Sequence, residues 1–386
     1  MHRFFKDVNF QLEMRLKNIA KALIFTALTS PVFAASNDSD NHGSEEPHEH
    51  TAENGVETDK DRSDFIEHHL QDSHSFTIWD AMHWVVPLPV ILVDDGIQVF
   101  SSSKFGEHEH GVAESNGNHY VVHHGIVHKS NADGSLLEAE GHHVKPLDLS
   151  ITKNVMMIII TSLLMFLLFR GLGKSYKKNG GIATGAGRFM EPIVMYIRDE
   201  IAIPNIGEKK YMKYMPYLLT VFFFVWFLNL FGLTPLGVNV TGNLAVTAAL
   251  ALITFLLTNF TGTKTYWKHI FDPLGDAMPW IAKFWLYLIL WPIEILGIFI
   301  KPFSLLIRLY ANMLAGHTVL MSLIALMYVS SMLVGDVLAF GLSFAISLIE
   351  LLVALLQAYI FTMLSALYFG FAAEEHEHHH DEAHAH

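Results

Sequence analysis

The C-terminal part of this chain contains two apolar stretches that are too long for a soluble domain. The first, 279–334, has 56 residues and only four charged side chains, and the second, 337–373, has 37 residues and one. A helix of 37 residues is about 55 Å long, whereas the hydrocarbon core of a bilayer is about 30 Å thick. The two stretches therefore predict two long, strongly tilted membrane helices that are joined by a tight turn at Gly335-Asp336.

Three shorter apolar segments complete the membrane part. They are predicted to span at 154–169, 214–233 and 244–260. The fold class is therefore an all-α polytopic membrane protein with about five transmembrane helices. Lysines and arginines follow the first and third segments, and the positive-inside rule places those basic residues in the cytoplasm. The basic segment 186–213 fits a helix on the cytoplasmic surface.

The N-terminal segment sets the orientation of these spans. Residues 1–34 contain basic residues, a short apolar core and a small-residue cleavage site, which is typical of a secretory signal peptide. The chain from Ala35 onward would then begin outside the cytoplasm, and five crossings place the tail 374–386 inside. This count requires 279–334 to cross once, because a break at Pro302 into two spans would put the tail outside. We expect a multi-pass protein of the cell inner membrane with a periplasmic N-terminus.

An acidic, histidine-rich extension, 35–148, precedes the transmembrane domain, 149–373. Residues 35–150 contain 5 basic and 22 acidic residues, and 36–62 have a disordered composition. Residues 64–79 fit one amphipathic helix. Further along, Asp94-Asp95-Gly96 and His123-His124-Gly125 each separate two apolar runs, which predicts two β-hairpins.

Histidine is unusually frequent, with 24 residues in the chain. In the extension we note His108, His110, His119, His123, His124, His128, His142 and His143, and in the tail His376, His378, His379, His380, His384 and His386. No regular ligand spacing occurs, so a solvated surface is favoured over the alternative of a metal site.

The composition excludes several classes of function. Only 16% of the residues are charged and the net charge is −13, whereas a soluble domain has ~25% charged residues. A soluble enzyme, a disordered regulator and a nucleic-acid-binding protein are therefore excluded. The absence of cysteine excludes disulfides and thiolate metal sites. No cofactor is expected. A nucleotide site is excluded because Leu168 stands where a phosphate-binding loop ending in Gly173-Lys174-Ser175 would need its first glycine.

Polar side chains inside the apolar stretches carry the functional prediction. Arg308 lies deep in the first long stretch, where an arginine costs ~2.5–3.5 kcal/mol to insert. Arginine stays protonated, so it can act as an electrostatic barrier but cannot relay protons. Helix geometry places Glu294 within about 40° of the same face and ~21 Å toward the cytoplasm, and His317 on the opposite face ~13 Å toward the outside. Ser304 and Asn312 lie one turn on either side of Arg308.

The last helix supplies two further polar groups. Glu350 and Gln357 are seven residues apart and therefore share a helix face. An outer titratable pair, His317 and Glu350, and an inner carboxylate, Glu294, thus flank a fixed cation. This layout suits two offset half-channels, since histidine can transfer protons near neutral pH. The alternative is that each group is a buried side chain with satisfied hydrogen bonds.

At these residues the sequence resembles a known family. The segment 301–317, KPFSLLIRLYANMLAGH, closely resembles the signature of the a subunit of F-type ATP synthase, and 223–230, 238–241 and 356–361 also resemble segments of that family. The resemblance covers about 150–376. It implies that Arg308 faces the carboxylate of the c-ring, that Asn312, His317, Glu350 and Gln357 line the outer path, and that Glu294 lines the inner path. Many bacterial relatives carry Glu and His where this chain carries His317 and Glu350, and some have an acid in place of Gly232.

The resemblance also implies a function. It implies a non-catalytic, proton-translocating subunit whose two half-channels couple proton flow to rotary ATP synthesis, with the c-ring, the b subunit, other Fo and F1 subunits and lipid as partners. Two alternatives remain open, a metal-ion transporter and a membrane assembly protein without a transport role. The first would need facing metal ligands, but the spans contain only one histidine, His317. The second would leave Arg308 and Glu350 at membrane depth unexplained.

Overall fold

The computed structural model shows a small β-domain followed by a bundle of helices. It describes residues 72–79, 84–94, 96–106, 109, 111–123, 125–139, 142–180, 183–185, 187–234, 238–272, 280–329 and 333–374. The predicted signal peptide 1–34, the predicted disordered segment 36–62 and the histidines of the tail lie outside the described residues. The strands of the β-domain fall within 72–151.

The strands of the β-domain form four small antiparallel sheets among the described residues. Their bounds are β1 Ser75–Trp79, β2 Trp84–Pro87, β3 Pro89–Val93, β4 Ile97–Ser101, β5 Ala113–Ser115, β6 Asn118–His123, β7 Ile126–Ser130, β8 Glu138–Ala139, β9 His142–His143 and β10 Leu147–Asp148. Both predicted hairpins are confirmed, because β3 pairs with β4 and β6 pairs with β7. The core between them contains Leu92, Phe100, Phe105 and Tyr120.

Two predictions for the extension are wrong in part. Residues 75–79 form strand β1, paired with β2, rather than the end of a helix. Its run of Phe76, Thr77 and Ile78 is aromatic and β-branched, which favours a strand; the rest of that predicted helix, 64–71, lies outside the described residues. His128, expected on a solvated surface, is buried, and its ring lies between the rings of His123 and His143 at 6.1 and 5.8 Å.

A buried ionic cluster joins the β-domain to the first membrane helix. His74 is 1% exposed; its Nε2 lies 3.2 Å from Asp148 Oδ2 and its Nδ1 lies 3.7 Å from Glu109 Oε2. Burial alone would lower the pKa of His74, but the two carboxylates outweigh it and raise that pKa to about 10. Next to it, the Asn154 backbone N–H donates to Asp72 Oδ1 at 3.2 Å. The cluster therefore holds the β-domain against the start of the bundle.

The helices of the bundle follow in chain order. Those described are α1 Lys153–Lys178, α2 Gly187–Tyr196, α3 Ile203–Ile206, α4 Tyr211–Gly232, α5 Leu244–Thr261, α6 Lys264–Phe271, α7 Trp280–Val329 and α8 Leu333–Ala373. Side chains cap several of their first turns: the Asn243 amide oxygen, for example, accepts from the Ala245 backbone N–H at 2.9 Å. Within the described residues, α1, α4, α5, α7 and α8 are long and apolar enough to cross a membrane, which confirms the five predicted spans.

Two helix boundaries differ from the prediction. The surface segment 186–213 is not one helix. Helix α2 continues through a π-helical turn into α3, but α3 ends at Gly207, whose φ is 90°. Residues 211–213 already belong to α4. The predicted turn at Gly335-Asp336 is also wrong, since both residues lie inside α8. A single glycine costs a helix only about 1 kcal/mol, which a long apolar helix can tolerate.

Helix α4 is the most buried of the described spans. It packs against α8 and α1, with aromatic contacts such as Phe223 on Phe169, whose ring centroids are 5.3 Å apart. Helix α7 continues without interruption through Pro292 and Pro302, as the single-crossing prediction requires. Many Ser and Thr hydroxyls inside the spans donate to carbonyls one turn earlier, as Thr254 does to Leu250, so those polar groups are satisfied without water.

The bundle has two distinct ends. At the first end lie the β-domain, the end of α4 and a 3-10 turn at Val240–Gly242 that contacts α1. At the second end lie α3, the start of α6 and the end of α8, where the Thr263 N–H donates to the Ala372 carbonyl and Lys210 Nζ donates to the Ala373 carbonyl. Polar groups of the membrane part lie near both ends, and others lie between them.

Candidate functional site

A buried histidine–glutamate pair lies where three membrane helices meet at the first end. His317 of α7 and Glu350 of α8 are 2% and 4% exposed, and His317 Nδ1 lies 2.9 Å from Glu350 Oε1. The other ring nitrogen, Nε2, lies 3.2 Å from the backbone carbonyl oxygen of Gly232, the last residue of α4. The two residues predicted to form the outer pair are thus brought into direct contact across two helices.

Two glycines make room for this pair. A Cβ atom added at Gly316 would lie 2.9 Å from Glu350 Oε1, and one added at Gly232 would lie 3.3 Å from His317 Cε1. Larger residues at either position would therefore displace the paired side chains. Sequence reasoning did not assign a role to Gly316, although its place directly before a membrane histidine was visible.

An amide continues the polar region along α4. Asn229 is fully buried, and its Oδ1 accepts a hydrogen bond from Thr241 Oγ1 at 2.6 Å. Its Nδ2 has no hydrogen-bond partner among the described residues. Sequence reasoning had included Asn229 only within a family-like segment, yet an asparagine inside an apolar helix was itself a sign of a functional position.

The second oxygen of Glu350 is also without a partner. Oε2 is buried and accepts no hydrogen bond from the residues that the structure describes. A buried carboxyl group has up to four lone-pair sites when ionised and one O–H donor when protonated. The pair can therefore exchange a proton at this oxygen as well as across the contact with His317.

Arg308 lies near the middle of α7 and is partly buried. Among the described residues no carboxylate lies within ion-pair distance of its guanidinium. The buried side of α7 is apolar around it, with Leu305, Leu309 and Met313 each 1% exposed. An exposed stripe runs along the helix beside it and consists of Phe303, Ile307, Ala311, Ala315 and Val319. The arginine thus sits at the edge of a surface that no other described element covers.

The packing of α7 against α8 shows which part of α8 lies level with Arg308. The two helices are antiparallel. His317 of α7 contacts Glu350 of α8. The Lys301 carbonyl, sixteen residues earlier on α7, accepts from Tyr368 Oη, eighteen residues later on α8. This steady register places Arg308 opposite about residues 359–361, roughly one helical turn beyond Gln357. Gln357 is 4% exposed, and Tyr368 lies within electrostatic range of Arg308.

The remaining predicted site residues differ in exposure. Asn312 is exposed beside the stripe, whereas Ser304 is partly buried. Glu294 lies toward the other end of α7, where its Oε1 is 3.8 Å from His269 Nδ1 of α6 and its side chain is 37% exposed. Since 23 residues separate Glu294 from His317, the two lie ~35 Å apart along the helix. The structure therefore separates the predicted inner and outer groups and places Arg308 between them.

The arrangement suits proton transfer better than metal binding. An imidazole and a carboxyl group at hydrogen-bond distance can share a proton. In the part of the chain that the structure describes, no three His, Asp or Glu side chains are placed to hold a metal ion. A fixed cation half way along the bundle raises the energy of a mobile cation nearby.

The bundle has buried titratable groups at one end, a partly exposed carboxylate at the other and an arginine between them. These features, on five apolar helices, define a polytopic membrane protein built for ion transfer. Comparison with known sequences names the particular family. The model of the family described as ATP synthase A chain matches residues 155–370, more than half of the chain, and the chain belongs to that family.

Curated relatives agree with this assignment. The chain is 44% identical to ATP synthase subunit a of Myxococcus xanthus (strain DK1622) over 62% of this chain and 78% of the relative. It is 40% identical to ATP synthase subunit a of Anaeromyxobacter dehalogenans (strain 2CP-C) over 69% of this chain and 70% of the relative. Residues 65–149, which include most of the β-domain, match a domain of unknown function (DUF8433).

Proposed function

We propose that His317 and Glu350 form the proton-transfer pair of the outer half-channel, that Glu294 belongs to the inner half-channel, and that Arg308 separates the two. The chain itself is a proton-translocating a subunit of the Fo sector of an F-type ATP synthase. The observation that carries the proposal is the buried contact of 2.9 Å between His317 Nδ1 and Glu350 Oε1. Gln357 and Asn312 would complete the outer path, and Ser304 would lie beside the arginine.

Electrostatics support this division of roles. A proton that moves directly from one half-channel toward the other comes close to the permanent charge of Arg308. This charge disfavours a second positive charge nearby. A carboxylate on a moving partner would instead be attracted to the guanidinium and would be driven to ionise beside it. Protons would then be taken up from one half-channel and released into the other, with no continuous path through the subunit.

The exposed stripe of α7 is the proposed contact with the c-ring. It combines small residues, Ala311 and Ala315, with large apolar ones such as Ile307, and Arg308 lies at its edge. Small residues allow another helix to approach closely inside a membrane. We propose that c subunits pass along this stripe and that the b subunit and the other Fo and F1 subunits contact other faces. ATP synthesis is a property of the complex, and this subunit would perform no catalytic step itself.

The orientation follows from the sequence. We propose that residues 1–34 are removed as a signal peptide, that the extension 35–148 lies outside the cytoplasm, and that the tail 374–386 lies inside, in the inner membrane. The His317–Glu350 pair lies at the same end of the bundle as the β-domain, which makes it the outer pair in this orientation. A metal-ion transporter and a non-transporting assembly protein are not favoured for a member of this family.

The proposal is tested by changing Arg308 in the assembled complex. Arg308→Ala should abolish ATP-driven proton pumping in inverted vesicles, and Arg308→Lys should nearly abolish it, because lysine can lose its proton and lacks the planar fork. Lys301→Ala is the matched control: it removes a positive charge two turns away on the same face of α7 and should leave pumping within about twofold of the unmodified complex. Pumping by Arg308→Ala at the unmodified rate would disprove the proposed barrier.

A further inference from the structure

We infer that His317 is a closed side branch of the proton path, which stores and positions a proton, and that protons enter and leave the pair through Glu350 alone. The inference rests on the proposed function, since it assigns separate tasks within the proposed outer half-channel. It follows from the three groups in hydrogen-bond contact at this point: the ring of His317, the carboxyl group of Glu350 and the backbone carbonyl of Gly232.

The Gly232 carbonyl determines which ring nitrogen of His317 carries a proton. A carbonyl oxygen can only accept a hydrogen bond, so the contact of 3.2 Å with Nε2 is favourable only when Nε2 bears a hydrogen. With a bare Nε2, two lone pairs would face each other in a buried site, at the cost of an unsatisfied polar group. The absence of a side chain at Gly232 permits this contact, since an added Cβ would lie 3.4 Å from Nε2.

With one proton shared between Nδ1 and Oε1 and none on Oε2, this constraint leaves two states of the pair. In one, His317 is neutral and Nδ1 accepts a hydrogen bond from a protonated Glu350 Oε1. In the other, His317 is an imidazolium and Nδ1 donates to a carboxylate. The two states contain the same number of protons and differ by one transfer, in which the O–H bond at Oε1 breaks and the N–H bond at Nδ1 forms across 2.9 Å.

The imidazole therefore cannot pass a proton onward. Its Nε2 faces a carbonyl oxygen, which is far too weak a base to accept a proton, and its Nδ1 faces Glu350. The remaining open position is Glu350 Oε2, which is buried and has no hydrogen-bond partner among the described residues. A proton that arrives at Oε2 while the proton on Oε1 moves to Nδ1 gives an imidazolium beside a carboxyl group protonated at Oε2, which holds one proton more. When Oε2 gives its proton up, the proton on Nδ1 returns to Oε1 and the starting state is restored. His317 stores a proton and orients the carboxyl group, whereas every conducted proton passes through Glu350.

The test compares two variants that remove titration but keep a hydrogen-bonding group at the contact between the two side chains. Glu350→Gln should reduce passive proton conduction of Fo, measured in vesicles stripped of F1, by more than about a hundredfold. His317→Asn places its amide near the position of Nδ1 and should keep conduction within about tenfold of the unmodified protein, with an altered pH profile. Equal loss of conduction in both variants would overturn the inference, because it would make the imidazole an obligatory link.

A spectroscopic measurement tests the same point without a variant in the path. In the complete Fo sector with ¹⁵N-labelled histidine, the His317 signal, identified by its absence from His317→Asn, should show a protonated Nε2 at every pH at which protons are conducted. Gly232→Ala should shift that signal. A bare Nε2 with a protonated Nδ1 would refute the side-branch assignment while leaving the proposed function intact. Unchanged conduction by Glu350→Gln would instead refute the role of the pair in the half-channel.

Discussion

Exchanging the two members of the buried pair tests how strongly they depend on each other. We consider His317→Glu, Glu350→His and the double exchange. Each single change places two similar groups at a buried contact of 2.9 Å: two carboxyl groups in the first case and two imidazoles in the second. Like groups at this distance cannot both hold their charged forms. Each single variant should therefore conduct poorly.

The magnitude follows from the hydrogen bonds that the structure shows. A buried hydrogen bond to a charged group contributes about 1.5–3 kcal/mol, and 1.4 kcal/mol corresponds to about tenfold. Each single exchange should then lose roughly ten- to hundredfold in proton conduction. The double exchange restores the carboxyl–imidazole contact but places a carboxyl group against the Gly232 carbonyl, so it forfeits one hydrogen bond of about 1 kcal/mol. It should recover to within about fivefold of the unmodified protein.

The assay is passive proton conduction of vesicles stripped of F1, analysed as a double-mutant cycle. The matched control is Tyr217→Phe, which removes a buried hydrogen bond of 2.6 Å to Thr254 between two neighbouring spans. It should lower thermal stability without a comparable loss of conduction. Strictly additive losses in the cycle would refute the reasoning, because they would mean that the two residues act independently.

Three further outcomes are expected. Gly316→Ala should reduce conduction roughly tenfold, because its Cβ would lie 2.9 Å from the paired carboxylate, whereas Gly341→Ala on the last helix, with no atom within 4 Å, should not; equal effects would contradict this explanation. Since the folded pKa of His74, about 10, exceeds its ordinary value, its stabilisation is complete below about pH 6.5 and is lost as the pH rises toward 10. Thermal melts of the unmodified protein should fall over that range relative to His74→Asn, by at most about 2–4 °C for each kcal/mol lost, and parallel curves would exclude the contribution. A cysteine at Ser44 should react with an impermeant maleimide in intact cells and one at Ala383 only after permeabilisation; labelling at Ala383 from outside would overturn the five-span orientation.

Several features of this protein could be read from the sequence because they depend on short-range or additive physics. Transfer of apolar side chains into lipid sums along a segment, so five spans and two very long helices were visible from runs of residues. The free-energy cost of inserting a charge into the membrane identifies Arg308 as unusual, and this cost does not depend on which helices pack around it. Helical periodicity likewise placed His317 on the face opposite to Arg308, and the structure has His317 buried against Glu350.

The tertiary structure decided which distant groups meet. The contact between His317 and the Gly232 carbonyl joins residues 85 positions apart, and it depends on where α4 ends relative to α7, which no local pattern encodes. The same holds for the space at Gly316 and for strand β1, whose pairing with β2 prevailed over an apparent helical periodicity. Residue types and their spacing along one helix thus predicted the candidate proton-transfer groups, whereas packing between helices determined their hydrogen-bond partners, because those partners come from the backbone and side chains of other segments.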